Sequence, residues 1–149
     1  MYRVFGILLF VLITGSSVSN SIGSISVEKV IQKRIEMFKS SGKNIKMIGE
    51  VIRSGNPRDG VHLLDFHVRW SENMPFLFPL GSEASTSNGS DASSDIWDDP
   101  IGFTGAIKQY NLASKDLKKV LKSADFGSIN KSFKSFVGTC KACHKQFRN

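Results

Sequence analysis

Near the C-terminus the chain reads Phe136-Val137-Gly138-Thr139-Cys140-Lys141-Ala142-Cys143-His144. Within this stretch Cys140, Cys143 and His144 stand at positions i, i+3 and i+4, so on a helix they share one face. The spacing C-x-x-C-H is the attachment signature of a c-type haem. Its thiols form thioethers with the two porphyrin vinyl groups, and the histidine donates an imidazole nitrogen to iron. The motif therefore predicts one covalent haem c, with His144 as the metal ligand.

Two cysteines this close together have three other common uses. A thioredoxin-like redox pair sits near a βαβ pattern, and the sequence has none. A structural zinc ion needs four ligands, and only His62, His67 or a carboxylate could supplement the motif. A disulfide across one helical turn would be strained. A haem is the interpretation that the sequence favours.

The N-terminus has the pattern of a secretory signal peptide. Met1-Tyr2-Arg3 is basic, an apolar run extends from Val4 to Thr14, and small residues follow. The run is too short to span a bilayer; an uncleaved anchor or a buried helix is the alternative. We expect a signal peptide over residues 1–19, cleaved after Ser19, and one domain over residues 20–149 without a membrane span. Because c-type haem is attached outside the cytoplasm in bacteria, this export signal predicts a periplasmic protein.

Four stretches of the chain have the three- and four-residue apolar spacing of amphipathic helices. The first begins at Val27, with Ser26 as its N-cap, and Gly55 ends it. The second begins at Asn56-Pro57, a cap followed by a proline at the first helical position, and ends before Pro75. The first half of the chain is therefore predicted to form two helices.

The second half has the same organisation after a long loop. Residues 75–95 are predicted as this loop, and its part from Gly81 to Ser94 is too polar to bury a core. The third helix is predicted to begin at Asp99-Pro100. Gly127-Ser128 breaks the chain, and the fourth stretch runs over residues 129–147 with the haem motif on its apolar side. The prediction is an all-α fold, an antiparallel four-helix bundle with the covalent haem near its C-terminal helix.

Four motifs of the chain are shared with a known family. They are Arg34-Ile35-Glu36-Met37-Phe38-Lys39, Phe78-Pro79-Leu80-Gly81-Ser82, Ala92-Ser93-Ser94-Asp95-Ile96-Trp97 and the last helix from Gly138 to Arg148. In this combination the chain resembles the cytochrome c′ family of class II c-type cytochromes. These are four-helix bundles with C-x-x-C-H near the C-terminus, and the resemblance covers the whole mature chain.

The resemblance implies a set of residues around the haem. Cys140 and Cys143 would hold the haem, His144 would be the proximal ligand, and Phe38 would occupy the distal position. Arg34 would contact a haem propionate, and Asp91 would make a polar contact with the haem. Arg148 would be the basic residue near the proximal imidazole. Ile35 stands where many members have Gln, so one polar haem contact would be missing.

Phe38 determines the function that we expect. A phenyl ring cannot ligate iron, so the iron would be five-coordinate, binding small gases such as NO and CO or transferring electrons. The alternative is a low-spin electron carrier resembling cytochrome c556, in which a register shift makes Met37 the sixth ligand. No nucleophile or general base suggests a reaction, so the chain is not predicted to be an enzyme.

The positive charge of the chain bears on its partners. Its formal charge is +7, and cleavage of the predicted signal peptide, which contains Arg3, would lower this charge to +6. Lys141, Lys145 and Arg148 flank the haem motif, a pattern that could steer acidic periplasmic redox partners or merely form a solvated helix face. Nothing resembles a nucleic-acid-binding module. The resemblance to cytochrome c′ suggests a homodimer.

Overall fold

The computed structural model describes residues 26–123 and 125–149. The predicted signal peptide lies outside the described residues. The α-helices are α1 (Val27–Arg53), α2 (Leu63–Asn73), the single-turn α3 (Asp95–Asp98), α4 (Pro100–Ser123) and α5 (Phe126–Phe147). In the bundle formed by the four long helices, α4 packs against both α5 and α2, and α1 packs against α2 and its flanking turns. The predicted all-α four-helix bundle is confirmed.

The ends of α1 are fixed by the signals that the sequence carries. The Ser26 side chain accepts a hydrogen bond from a backbone N–H of the first turn. At the other end, Gly55 has a φ of 83°, which glycine adopts without steric cost. The N–H of Gly55 donates to the carbonyl of Ile52 at 3.2 Å, and that of Asn56 to Val51 at 3.0 Å. This pair of bonds is a Schellman motif, which satisfies two of the last helical carbonyls.

The predicted start of the second helix is wrong. Pro57 begins a 3₁₀ turn, Pro57–Gly60, and Asn56 makes no side-chain capping hydrogen bond. The turn brings Gly60 against α1 and α4, where an added Cβ would lie 3.0 Å from Val51 and 3.2 Å from Leu121. This close approach between distant segments holds the chain in the tighter turn, so α2 begins only at Leu63.

The predicted break before the last helix is also wrong. Asp125 is the N-cap, and its carboxylate accepts a hydrogen bond from the N–H of Gly127 at 3.1 Å and another from the Ser128 hydroxyl. Gly127 and Ser128 therefore lie inside the first turn of α5, which begins at Phe126. An aspartate cap satisfies helix-starting N–H groups, and here it overrides the weak helix propensity of glycine and serine.

The core lies where the four long helices converge. Its fully buried apolar side chains contribute about 1.5–3 kcal/mol each relative to exposure, and they come from every long helix. The largest of them are Ile31, Ile48, Leu64, Trp70, Leu117, Leu121, Ile129 and Phe136.

One polar pair lies inside this core. Nδ1 of His67, on α2, is 2.6 Å from the phenol oxygen of Tyr110, on α4. Phe66 and Phe136 pack edge-on against the imidazole ring. Burial lowers the pKa of His67 from about 6.5 to about 4. The imidazole is therefore neutral at neutral pH.

We expect acid to destabilise the protein through His67. Between about pH 6.5 and pH 4 the unfolded chain binds a proton at this histidine and the folded chain does not. The free energy of unfolding therefore falls as the pH is lowered, by about 2 kcal/mol between about pH 7 and pH 5 from this group. Urea unfolding of the wild type and of His67→Gln at several pH values would measure this contribution. An identical pH dependence in the two proteins would contradict the assignment.

Candidate haem site

A cavity of about 440 Å³ opens between α1, α4, α5 and the loop before α3. Its volume falls within the range of small-molecule and cofactor sites. The eight residues that the sequence analysis places around a haem all line it, and they come from three separate segments of the chain. They are Arg34, Ile35 and Phe38 of α1, Asp91 of the loop, and Cys140, Cys143, His144 and Arg148 at the C-terminus.

The C-x-x-C-H residues lie on one face of α5, as their spacing predicts. Cys140 and Cys143 are half-buried, and burial raises the pKa of both thiols, that of Cys143 to about 11. Burial and the nearby charge of Arg148 lower the pKa of His144. At neutral pH the sulphur atoms are therefore uncharged in a partly apolar setting. The His144 imidazole is neutral, which is the form that ligates iron.

Phe38 and Met37 take different positions on α1. The Phe38 ring lines the cavity, with its centroid 6.0 Å from that of the His144 ring and 5.2 Å, edge-on, from that of Trp70. Met37 packs against the margin of the core and is not among the residues that line the cavity. The structure therefore brings Phe38, rather than Met37, into an edge-on contact with His144.

Arg34 is a buried cation at the cavity wall. Its side chain is 3% exposed, and burial lowers its pKa. No carboxylate among residues 26–123 and 125–149 forms an ion pair with it. Its guanidinium carbon lies 4.3 Å from the centroid of the Phe78 ring, a cation–π contact. A buried charge without a counter-charge is costly, so a carboxylate bound in the cavity would stabilise this site.

Arg34 also organises the loop before α3. Its guanidinium donates to the Leu77 carbonyl at 2.9 Å, to the hydroxyl and carbonyl of Ser82 at 2.9 and 2.7 Å, and to the Ser90 hydroxyl at 2.8 Å. Ser82 and Ser90 are buried. The segment from Gly81 to Ser94 is predicted to be too polar to bury a core, and the side chains of this segment that Arg34 contacts are those of two buried serines. The guanidinium supplies the hydrogen-bond donors that buried hydroxyl and carbonyl groups require.

The C-terminus is attached to the same loop. The guanidinium of Arg148 donates two hydrogen bonds, of 3.1 and 2.6 Å, to Oδ2 of Asp91. The N–H of Ser93 donates to the Phe147 carbonyl at 3.1 Å, and the N–H of Asn149 to the Asp91 carbonyl at 2.9 Å. The two polar residues predicted as separate haem contacts thus form one ion pair at the cavity, next to the end of α5.

Two features bear on the other uses of the cysteines. Both thiols are free. Within the part of the chain that the structure describes, no group of three or more His, Cys, Asp or Glu side chains could hold a metal ion. The chain offers two thiols and one imidazole on a single face of α5, the groups that a c-type haem requires.

Sequence reasoning missed several residues that shape the cavity. Trp70, Phe103 and Tyr110 line it, although their spacing indicated only that they belong to helix faces. The polar groups at one wall are Tyr110 and Ser41, whose oxygen atoms are 3.4 Å apart. No signal in the sequence links α1 to α4 in this way, because the contact depends on how the helices cross.

The comparison with known families settles the family to which the chain belongs. A family model described as Cytochrome C′ matches residues 29–148. The chain belongs to the cytochrome c′ family. Proteins of this family carry a single covalent haem c with its iron and are in general haem carriers rather than enzymes. The thiols and imidazole of α5, the cavity and the buried Arg34 fit such a group.

Individual cytochromes c′ resemble the chain to different extents. The cytochrome c′ of Rhodospirillum rubrum is 32% identical over 77 residues, 52% of this chain and 51% of that relative, so the match spans about half of its length. A solved cytochrome c′ with an unusual ligand-controlled dimer dissociation has a TM-score of 0.75 at 15% identity, covering 84% of this chain and 98% of that one. A nitric oxide complex of a mutant cytochrome c′ from Alcaligenes xylosoxidans has a TM-score of 0.68 at 18% identity. This match covers 83% of this chain and 97% of that one.

None of the helices that the structure describes is long and apolar enough to cross a bilayer.

Proposed function

We propose that this member of the cytochrome c′ family is a periplasmic haem protein whose five-coordinate iron binds small gases such as NO and CO. The observation that carries the proposal is that His144 and Phe38 line the same cavity with their ring centroids 6.0 Å apart, whereas Met37 does not line it. In this assignment Cys140 and Cys143 form the thioethers and His144 is the proximal ligand. The haem, when bound, supplies an iron atom with one open coordination position.

Phe38 and Trp70 would control access to that position. Phe38 packs edge-on against Trp70, and Trp70 is only 1% exposed, so the phenyl ring is supported from behind. A bulky ligand or a water molecule would have to displace this ring, whereas a diatomic gas needs only a small movement. Phe38 also offers no hydrogen-bond donor, and distal donors and steric access decide which gases a haem retains. The site therefore favours NO and CO over O₂.

The two arginines would hold the charged parts of the site. Arg34 is buried beside the cavity without a carboxylate partner in residues 26–123 and 125–149, so a haem propionate would supply the missing negative charge. Burial, and after it the charge of Arg148, lower the pKa of His144, which keeps the imidazole neutral and available to iron. Asp91 accepts a hydrogen bond from the Arg148 guanidinium and so would hold Arg148 in place beside His144.

Two relatives support ligand binding. One solved relative is itself a nitric oxide complex, and the dimer of another dissociates under the control of a ligand. By analogy, this chain would form a homodimer, and its haem iron would bind NO. The predicted signal peptide over residues 1–19 would deliver the protein to the periplasm, where the haem is attached.

Electron transfer is the second candidate function. Lys39 lines the cavity and is exposed, and Lys141 and Lys145 are exposed on α5 beside Cys140 and His144. Positive side chains around a haem raise the rate of encounter with acidic partners and make it depend on salt. An acidic periplasmic redox protein is the partner that this charge fits.

Absorption spectra of the purified protein, oxidised, reduced, and reduced under CO or NO, test the proposal. We expect a broad high-spin Soret band in the reduced protein, and a shift of this band when either gas is added. The oxidised spectrum should lack the methionine-to-iron charge-transfer band in the red. A sharp low-spin spectrum that neither gas changes would instead establish the cytochrome c556-like alternative with Met37 as sixth ligand.

A further inference from the structure

The hydrogen-bonded pair of Tyr110 and His67 has no part in gas binding as proposed above. Tyr110 lines the haem cavity together with Cys140. Its phenol oxygen is 2.6 Å from Nδ1 of His67, and His67 lies behind it in the core with no exposed surface. The pair therefore connects the cavity wall to the interior of the bundle.

The surroundings hold both side chains in their neutral forms. Burial raises the pKa of Tyr110 and lowers that of His67 to about 4. The Phe136 ring stacks on Tyr110 at 5.6 Å and meets the His67 ring edge-on at 5.1 Å. At neutral pH this is a phenol next to a neutral imidazole, with Phe136 packed on both rings.

One of the two contacts of the phenol oxygen is much shorter than the other. The Ser41 hydroxyl is 3.4 Å from the phenol, too long to be its main partner, so the short contact to Nδ1 is the main hydrogen bond of the phenol. Nε2 of His67 is buried without a partner in the described residues. A buried polar atom of this kind calls for an explanation, and a redox role is one.

We propose that Tyr110 is a redox-active tyrosine, with His67 as its proton acceptor, which donates an electron through the haem to hydrogen peroxide. One peroxide molecule takes two electrons, one from the Tyr110 of each of two protein molecules, and two protons from solvent. Its O–O bond breaks and it leaves as two molecules of water. Each phenol loses its proton to Nδ1 of His67, which gives a neutral phenoxyl radical and an imidazolium. The haem iron ends in the oxidation state in which it began.

The position of the pair is what makes this step feasible. Proton transfer requires an acceptor within hydrogen-bond reach, and Nδ1 meets this condition before any oxidation occurs. Tyr110 is only 6% exposed, and Phe136 packs on both its ring and the His67 ring. A hole that reaches Tyr110 would therefore lie on a mostly buried side chain whose proton acceptor is already in contact with it.

Electron paramagnetic resonance of the haem-loaded protein tests the proposal without measuring any activity. Full haem loading is first verified by absorption. Hydrogen peroxide is then added, the sample is frozen within seconds, and the experiment is repeated with protein grown on ring-deuterated tyrosine. The sequence has only two tyrosines, and Tyr2 lies in the predicted signal peptide. We expect an organic radical whose hyperfine pattern narrows with the label. No organic radical, or one that the label leaves unchanged, would overturn the proposal.

Variants separate the roles of the two residues. Tyr110→Phe, which removes only the hydroxyl, should abolish the tyrosyl signal, and Trp97→Phe is the matched control that should retain it. His67→Gln should lower the radical yield about tenfold or more and shift the g component that reports a hydrogen bond to the phenoxyl oxygen. If yield and g value are unchanged in His67→Gln, His67 is not the acceptor. Should Tyr110→Phe fail to fold, the labelled wild type still decides the assignment.

Discussion

Replacing His144 by alanine should reduce the haem content of the purified protein about tenfold or more, because in the proposed assignment the iron would lose its only protein ligand. Neither of the other histidines can substitute. His62 is exposed at the start of α2 and does not line the cavity. His67 is fully buried and hydrogen-bonded to Tyr110. Haem content per chain, measured after reduction in alkaline pyridine, checks this expectation.

The controls for this prediction separate ligation from attachment. His62→Ala removes an exposed imidazole that does not line the cavity and should leave haem content and spectrum unchanged. Acid–acetone extraction of the small His144→Ala holoprotein fraction should leave the colour with the protein, because the proposed thioethers of Cys140 and Cys143 would still hold the haem. A His144→Ala protein with the wild-type iron spectrum would disprove the ligand assignment.

The parts of the fold that could be predicted are those fixed by neighbours in sequence. Ser26 caps α1 and the Asp99-Pro100 pair begins α4, where the Asp99 carboxylate accepts the N–H of Gly102 at 2.8 Å. The C-x-x-C-H face of α5 follows from helical spacing alone. In each case the group that stabilises the structure lies within four residues of the group it serves, so the sequence displays the whole interaction.

Apart from the Asp125 cap of α5, a local signal that the prediction missed, the parts that could not be predicted depend on contacts between distant residues. Arg34 bonds to Leu77, Ser82 and Ser90, which are 43 to 56 positions away. Nothing in the composition of the loop reveals that a buried guanidinium will satisfy its serines. The resemblance to cytochrome c′ pointed to Arg34 as a haem contact, and the structure adds that it anchors the loop.

The interior of the site shows the same limit. Tyr110 and His67 appear in the sequence as one aromatic and one histidine on separate helices, and helical periodicity gives only the face of each. Their 2.6 Å contact depends on the crossing of α2 and α4. Phe38 could be assigned before the structure because the resemblance fixed its offset from Arg34. The periodicity of α1 alone does not distinguish it from Met37.

Replacing Phe38 by alanine should speed the binding of CO or NO about tenfold or more. The phenyl ring lines the cavity 6.0 Å from the His144 ring and is held edge-on against Trp70. An aromatic pair of this kind contributes about 0.5–1.5 kcal/mol beyond its buried area, and an incoming gas must disrupt it to reach the iron. Removing about 1.4 kcal/mol from the barrier raises a rate tenfold. Stopped-flow mixing of the reduced protein with CO measures the change directly.

Met37→Ala is the matched control, since it shortens the neighbouring side chain on the same helix. Met37 is half-buried at the core margin, so this variant should lose some stability but keep its haem spectrum and its rate of gas binding. The two variants together discriminate between the two registers of α1. If Met37→Ala converts a sharp low-spin spectrum into a high-spin one, and Phe38→Ala leaves the gas-binding rate unchanged, then Met37 is the sixth ligand. The chain would in that case carry electrons rather than bind gases, because a methionine on the iron closes the position that a gas requires.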